Sequence, residues 1–489
     1  MIDTEALRKK VIDLAIQGKL TEQLPEDGNA EELYQQIQAE KTQLINEKKI
    51  KKEKPLPEIT AKEIPFEIPK NWKWVRIGDL VKCSLGGGTP SKNVSEYWKN
   101  GDIPWASVKD FSAADAGYLN DTIDHITHDG LNNSASNMVD ENAIIICMRM
   151  ALGKVVRFLR PMAINQDLRA IWLHDCVDKS YFMYMYSTFN VEGRGTTVAG
   201  IRKDELRSFL FPLPPLSEQK RIVAKIDEVL AEIKIIDELQ SQYASNVEVL
   251  KSKIIDAGIC GQLTEQLPED GIAEELLEEC RKEKSKIKAT GVLNGRKKKN
   301  TKSINEDEIP FSIPRTWKWV RLGDVAEIFG RIGFRGYNRK DIVEKGKGAI
   351  TISPSNIINY GKTVFDKCTY LSWEKYDESP EIMIEEDDVI IVKTGSSYGK
   401  CGIVKDLPEK ATINPQLAVF KYILCDKCYL NYVLNSSMAK KQYDEFVVGA
   451  AIPTFSQEKL GNLCFPLPPL SEQKRIVAKI DSVLGAIGK

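Results

Sequence analysis

Apolar positions recur at alternating spacings of four and three along one stretch of the chain: Ile222, Ile226, Val229, Ile233, Ile236, Gln240, Tyr243, Val247, Leu250 and Ile254. All but Gln240 are apolar. This is the a/d seam of a coiled-coil helix, in which two positions of every seven face a partner. Ser217, just after Pro214-Pro215, is the expected N-cap, and Gly258 and Gly261 mark the expected stop. At ~1.5 Å per residue, about 40 residues make a rod of roughly 60 Å. The lone polar seam position, Gln240, is suited to fixing register, because a buried polar group penalises slippage.

Elsewhere the pattern changes period. Short apolar runs such as Ala143–Met148 and Asp388–Lys393, or Val155–Phe158 and Gly402–Lys405, are bounded by turn residues and predict strands. They lie in two blocks, 65–211 and 310–465, each expected to be a globular α/β domain with a curved mixed sheet. After Gly261 a turn at Gln266–Gly271 leads to a second expected helix near Ala273–Lys288. Basic runs follow at Lys48–Lys54 and Arg281–Lys302, read as solvated linkers or as phosphate contacts.

The blocks are framed by a repeat. Phe211–Leu230 recurs at Phe465–Leu484 with only Glu228 changed, to Ser482. Pro65–Asp79 recurs at Pro310–Asp324 with few changes, and Leu20–Gly28 recurs unchanged at Leu263–Gly271. The order is circular. The C-terminal copy stops where it matches about Ile235, and Met1 matches about Ala244. The expected partner of the long helix is therefore the split copy, Ser471–Lys489 plus Thr4–Ala15, with the two chain ends close together. The parts are 1–60, a helical half of the split region; 61–212, a first globular domain; 213–305, the central helical region; 306–466, a second globular domain; and 467–489, a completing helix. Duplication with pseudo-twofold character suits a long, near-symmetric ligand such as duplex DNA.

Composition narrows the function classes. The chain has 489 residues, net charge −1, 42% hydrophobic and 28% charged residues. It is not basic overall, so any nucleic-acid binding must rest on local clusters. No apolar run approaches a membrane span, and Met1–Ala6 lacks the features of a signal peptide. The ten cysteines are scattered, and Cys425-x-x-Cys428 has no second pair to complete a zinc site. The expectation is a cytoplasmic protein with reduced cysteines and no metal.

A phosphate-binding Gly-x-x-x-x-Gly-Lys-Ser/Thr loop is absent, as are an Asn/Asp-Pro-Pro-Tyr methyltransferase motif and a Ser–His or Cys–His arrangement. No catalytic residue is assigned. Binding signals are better. The first block offers Gly87, Thr89, Ser91, Lys92, Lys109, Arg149, Lys154, Asn165, Gln166, Arg169, Arg194, Thr196 and Thr197. The second offers Arg331, Arg335, Arg339, Lys340, Lys393, Ser396, Ser397, Tyr398, Lys400, Asn414 and Gln416. Cations pair with guanine and amides with adenine in the major groove, while hydroxyls and glycine amides suit phosphates. Trp72, Trp74, Trp317 and Trp319 recur in the frame and are read as packing residues.

The residues Phe211–Ile222 and their twin at 465–476, Gln17–Leu20, Ile68-Pro-x-x-Trp72 with Gly78-Asp79, and Gly87–Ser91 resemble the specificity subunit of Type I restriction–modification systems. The resemblance spans essentially the whole chain. It implies two target-recognition domains, each reading half of a bipartite, asymmetric DNA site, separated by long antiparallel helices acting as a ruler. It also implies two modification subunits carrying AdoMet for adenine methylation, and restriction subunits carrying ATP- and Mg-dependent translocation and cleavage. No cofactor is expected in this chain. The alternatives are a coiled-coil scaffold that binds no nucleic acid, or a self-contained DNA methyltransferase or nuclease, which the missing motifs disfavour.

Overall fold

The computed structural model describes all residues except 115–116, 190, 192–199, 290–302, 332–334, 359–360, 450–451 and 488–489. The chain divides into two compact units, Met1–Ser241 and Gln242–Lys489.

The first unit contains β1 (Lys73–Arg76), β2 (Val81–Gly86), β3 (Ile103–Ala106), β4 (Tyr118–Leu119), β5 (Asp124–Ile126), β6 (Asn137–Val139), β7 (Ile144–Cys147), β8 (Val155–Phe158), β9 (Met162–Ile164), β10 (Leu168–Leu173) and β11 (Leu210–Leu213). They form a five-stranded sheet, β2-β10-β7-β8-β4, a four-stranded sheet, β5-β3-β9-β6, and a two-stranded ribbon, β1-β11. Both larger sheets are mixed, with β4 parallel to β8 and β3 parallel to β9. The expectation of a single curved mixed sheet is thus corrected to two sheets and a ribbon.

Strand β7 shows why its run is apolar without alternation. Ile145 and Cys147 face the four-stranded sheet, packing with Ala106, Val139, Met162 and Ile164. Ile144 and Ile146 face the other way, onto Tyr181, Phe182 and Met185 of the helix Lys179–Tyr186. A strand buried on both faces loses the period of two.

The second unit repeats this plan. Its strands are β12 (Lys318–Arg321), β13 (Glu327–Phe329), β14 (Ile342–Val343), β15 (Gly348–Ile352), β16 (Gly361–Lys362), β17 (Thr369–Ser372), β18 (Met383–Ile384), β19 (Val389–Val392), β20 (Cys401–Ile403), β21 (Ala411–Ile413), β22 (Leu417–Lys421) and β23 (Cys464–Leu467). The orders β13-β22-β19-β20-β16 and β14-β17-β15-β21-β18, with the ribbon β12-β23, match the first unit strand for strand, apart from the added edge strand β14. The interiors diverged in sequence and kept their topology.

The long helix runs Leu216–Ile259. In the first unit, Ile222, Ile226 and Ile233 are buried with Val11 and Ala15 of the helix Thr4–Ile16. The two helices are antiparallel: Thr4 and Arg8 bond Asp237 at 2.5 and 2.6 Å, and the Gln240 side chain accepts from Ile2 N (2.6 Å) and donates to Ile2 O (3.2 Å). Gln240 thus bonds the backbone that leads into the opposing helix from a half-buried position, rather than standing buried in the seam. In the second unit, Ile255 and Ile259 are buried with Ile476 and Ile480 of the helix Leu470–Ile487, while Ile254 packs at the margin.

Three expectations about this helix need correction. The seam is not buried throughout: Val229, Ile236 and Val247 are half-buried, and Tyr243 and Leu250 are 64% and 47% exposed. Ser217 lies inside the helix rather than capping it, and its hydroxyl turns toward Asp27 O (3.5 Å). Gly258 does not end the helix. It admits Ile480, whose Cδ1 would stand 2.8 Å from a Cβ there, whereas Gly261, at φ +74, does follow the last turn. The second helix, expected near Ala273–Lys288, spans Ala273–Ala289.

Candidate nucleic-acid interface

Each unit presents its loops from a rigid junction built by the repeated motif. In the first, the buried carboxylate of Glu218 accepts from Gln23 Nε2 (3.0 Å), Asn71 Nδ2 (3.2 Å) and Trp72 Nε1 (2.9 Å). Gln219 accepts from Asp178 N (2.8 Å), which starts a domain helix, and donates to Pro214 O (2.9 Å). Arg221 grips Asp27 with both terminal nitrogens (2.5 and 2.7 Å). This pairing pulls the Asp27 carboxyl down to about 2.

The second unit repeats the set. Glu472 accepts from Thr264 (3.1 Å), Gln266 (2.9 Å) and Trp317 (2.8 Å). Gln473 bonds Asp426 N (2.8 Å) and Pro468 O (2.7 Å). Arg475 grips Asp270 at 2.6 Å from each nitrogen and holds its carboxyl well below the usual range. Trp72 and Trp317 are buried, and Trp74 and Trp319 lie half-buried, Trp74 edge-on to Phe66 and Trp319 tilted against Phe311, each at 5.1 Å. The packing reading of these tryptophans holds.

In the first domain, strand ends bring several candidates together. Gly87 lies so close to β9 that a Cβ would stand 2.0 Å from Ile164 O, so only glycine fits. This tucks the Gly87–Lys92 loop against the β9–β10 turn, where the Thr89 hydroxyl donates to Gln166 Oε1. Asn165 is buried and shapes that turn by accepting from Asp167 N (3.0 Å). Arg149, beyond β7, reaches Asp167 at 3.4 Å. Gln166, Arg149, Ser91, Lys92 and Lys154 are exposed. Lys109 is exposed in the segment after β3, but no bond ties it to this group among the described residues. Arg169 is half-buried against Ser84 (3.4 Å), and burial lowers its pKa. Arg194, Thr196 and Thr197 lie outside the described residues, as does most of the basic run Arg281–Lys302.

The second domain builds the matching turn. Asn414 accepts from Gln416 N (2.9 Å), and Lys393 N donates to Gln416 O (2.8 Å), as Met148 N does to Asp167 O (2.8 Å). Lys393 and Lys400 are half-buried, Ser396 and Gln416 are exposed, and Ser397 is half-buried. Burial lowers the Lys393 pKa. Tyr398 donates to Asp444 (2.8 Å). Arg331 is buried: it donates to Ile413 O (3.3 Å), Thr412 Oγ1 (3.1 Å) and Arg335 O (3.3 Å), and stacks 5.4 Å from the Tyr337 ring centroid. It ties Arg335 and Tyr337 to β21. Arg335 pairs with Glu381 (3.1 Å), while Arg339 and Lys340 are exposed.

Sequence reasoning overlooked Glu218, Gln219, Arg221 and their twins as individual actors, although their unchanged recurrence was the signal. It also overlooked Asp167, a lone acid among cations. Among the described residues no cluster of His, Cys, Asp or Glu could hold a metal, and burial raises the pKa of both Cys425 and Cys428. No described helix is long and apolar enough to cross a membrane.

Comparison with known proteins agrees with this twofold plan. The Type I restriction enzyme EcoAI specificity subunit of Escherichia coli is 25% identical over 99% of this chain and 89% of its own length. The EcoEI specificity subunit, also from Escherichia coli, is 23% identical over 97% and 88%. A chain solved in work on complex assembly and conformational transition of the type I R-M system shares the fold, with a TM-score of 0.55, 18% identity, and coverage of 87% of this chain and 93% of that one. The profile of the Type I restriction modification DNA specificity domain matches twice, at residues 69–242 and 314–488, and the chain belongs to that family.

Proposed function

We propose that this chain is the DNA sequence-recognition and scaffold subunit of a Type I restriction–modification complex. Each globular domain reads one half of a bipartite, asymmetric target. The duplicated motif offers equivalent seats to two modification subunits, which supply AdoMet and methylate adenine, while restriction subunits supply the ATP- and Mg-dependent steps. The chain itself carries no catalysis. The observation that carries this reading is the pair of matching β-turns, at Asn165–Asp167 and Asn414–Gln416, each on the same strand topology. Around the first are Arg149, Thr89 and Gln166; around the second are Lys393 and Gln416. Cations and hydroxyls position the duplex through phosphates, and amides with cations read base edges.

The test is equilibrium binding of the chain, assembled with its modification partner, to genomic duplex fragments over a range of salt. The expected result is sequence-selective binding whose logarithm falls linearly with the logarithm of salt, several phosphates' worth in slope. Binding that is absent or indifferent to sequence contradicts the proposal.

A further inference from the structure

Met150 sits at the tip of the β7–β8 hairpin with φ +67, a left-handed conformation that an L side chain rarely adopts. Its side chain is 66% exposed, so it does not stabilise a core. The second domain solves the same position differently. Met148 N and Lys393 N donate to equivalent turn carbonyls, and two residues further on the second domain has Gly395 at φ +105. A Cβ on Gly395 would stand 3.5 Å from Gln416 Nε2, so the position overlooks the candidate reading face. The first domain therefore keeps a large apolar side chain where the backbone favours glycine and solvent disfavours methionine. Among the described residues, neither packing nor backbone geometry accounts for it.

We infer that Met150 is a specificity-determining residue, which places its thioether chain against the 5-methyl group of a thymine in the half-site read by the first domain. The inference rests on the proposed DNA recognition. Arg149, the next residue along the chain, reaches the Asn165–Asp167 turn at Asp167 (3.4 Å), and Arg149 and Gln166 of that turn are exposed polar groups of the kinds that read base edges in the major groove, where the thymine methyl is the one apolar feature displayed. Because the contact is apolar, it adds selectivity without adding a phosphate contact.

The experiment uses the chain assembled with its modification partner and a duplex carrying the site that this complex methylates. Each thymine of the first half-site is replaced in turn by deoxyuridine, which lacks only the methyl. In the wild type, one replacement should weaken binding roughly fourfold, the worth of one buried methyl group. Met150→Gly and Met150→Asn, both compatible with the left-handed backbone, should bind the thymine duplex more weakly by a similar factor. They should be indifferent to that replacement, with an unchanged salt slope and an unlowered melting temperature. Wild-type selectivity with no thymine-dependent step, or variants that keep the step, overturns the inference while leaving the recognition reading intact. A lowered melting temperature would make Met150 a packing residue and would also overturn it. Loss of sequence-selective binding by the wild type overturns both.

Discussion

Glu218 is fully buried; three neutral donors from Gln23, Asn71 and Trp72 hold its carboxylate, while Arg221, whose cation feels its charge, is paired with Asp27. Truncating it leaves the buried Trp72 Nε1 unpaired, while Gln23 keeps its bonds to Gly18 O and Thr21 O, so Glu218→Ala should cost about 1–3 kcal/mol. A thermal melt of the assembled chain checks this; a melting temperature equal to the wild type would contradict it. The Arg221–Asp27 and Arg475–Asp270 pairs make a pH statement. Their aspartates have carboxyl side chains 1% and 3% exposed, with pKa values held below the unfolded ~3.9, Asp27 at about 2. A depressed carboxyl stabilises the fold above its unfolded pKa, and that stability is lost as pH falls through the folded value. Between about pH 4 and pH 2 the wild type should therefore lose melting temperature more steeply than Arg221→Ala/Arg475→Ala. Parallel acid profiles would count against the pairs. Residues of this kind were legible only in part. The repeat flagged the motif, but which donor meets which acceptor depends on Gln23 and Asn71, brought to Glu218 from distant sequence.

The long helix shows what periodicity can and cannot tell. Spacing of four and three correctly indicated one apolar face, but not what covers it. The face is buried where Thr4–Ile16 or Leu470–Ile487 lies against it, and Tyr243 and Leu250 stay exposed. Ile226→Ala should cost about 2–5 kcal/mol, as for a truncated core side chain. Tyr243→Ser and Leu250→Ser should fall within about 0.5 kcal/mol of the wild type. Comparable losses at all three would mean the whole seam is packed. Gly258→Val should also destabilise, because its Cβ would meet Ile480 and Ile476 at 2.8 and 3.1 Å. The strand runs β7 and β19 were legible from apolar content. The division of their side chains between a facing sheet and a helix layer was not, because a run buried on both faces carries no phase to say which neighbour takes which residue.

At the scale of the whole molecule, two sequences of different interior fold to one strand order and place a turn of the same geometry at the same strand ends. The frame that carries them is nearly identical, down to Trp72 and Trp317 on Glu218 and Glu472. The circular repeat made this plan visible in the sequence. Asn165, Gln166, Asn414 and Gln416 were singled out in the sequence, but the Asn side chain that shapes each turn was not, since its bond to the backbone two residues on is set by local geometry that residue type alone does not show. A shared frame with separate readers implies that the readers are exchangeable. The most direct measurement is methylome sequencing of a host expressing this chain with its modification partner, beside the same host carrying a chain whose residues 65–211 come from another member of the family. The expected result is a bipartite target in which the exchange alters one half and leaves the other half unchanged. A continuous target, or one that the exchange leaves unaltered, would contradict the account.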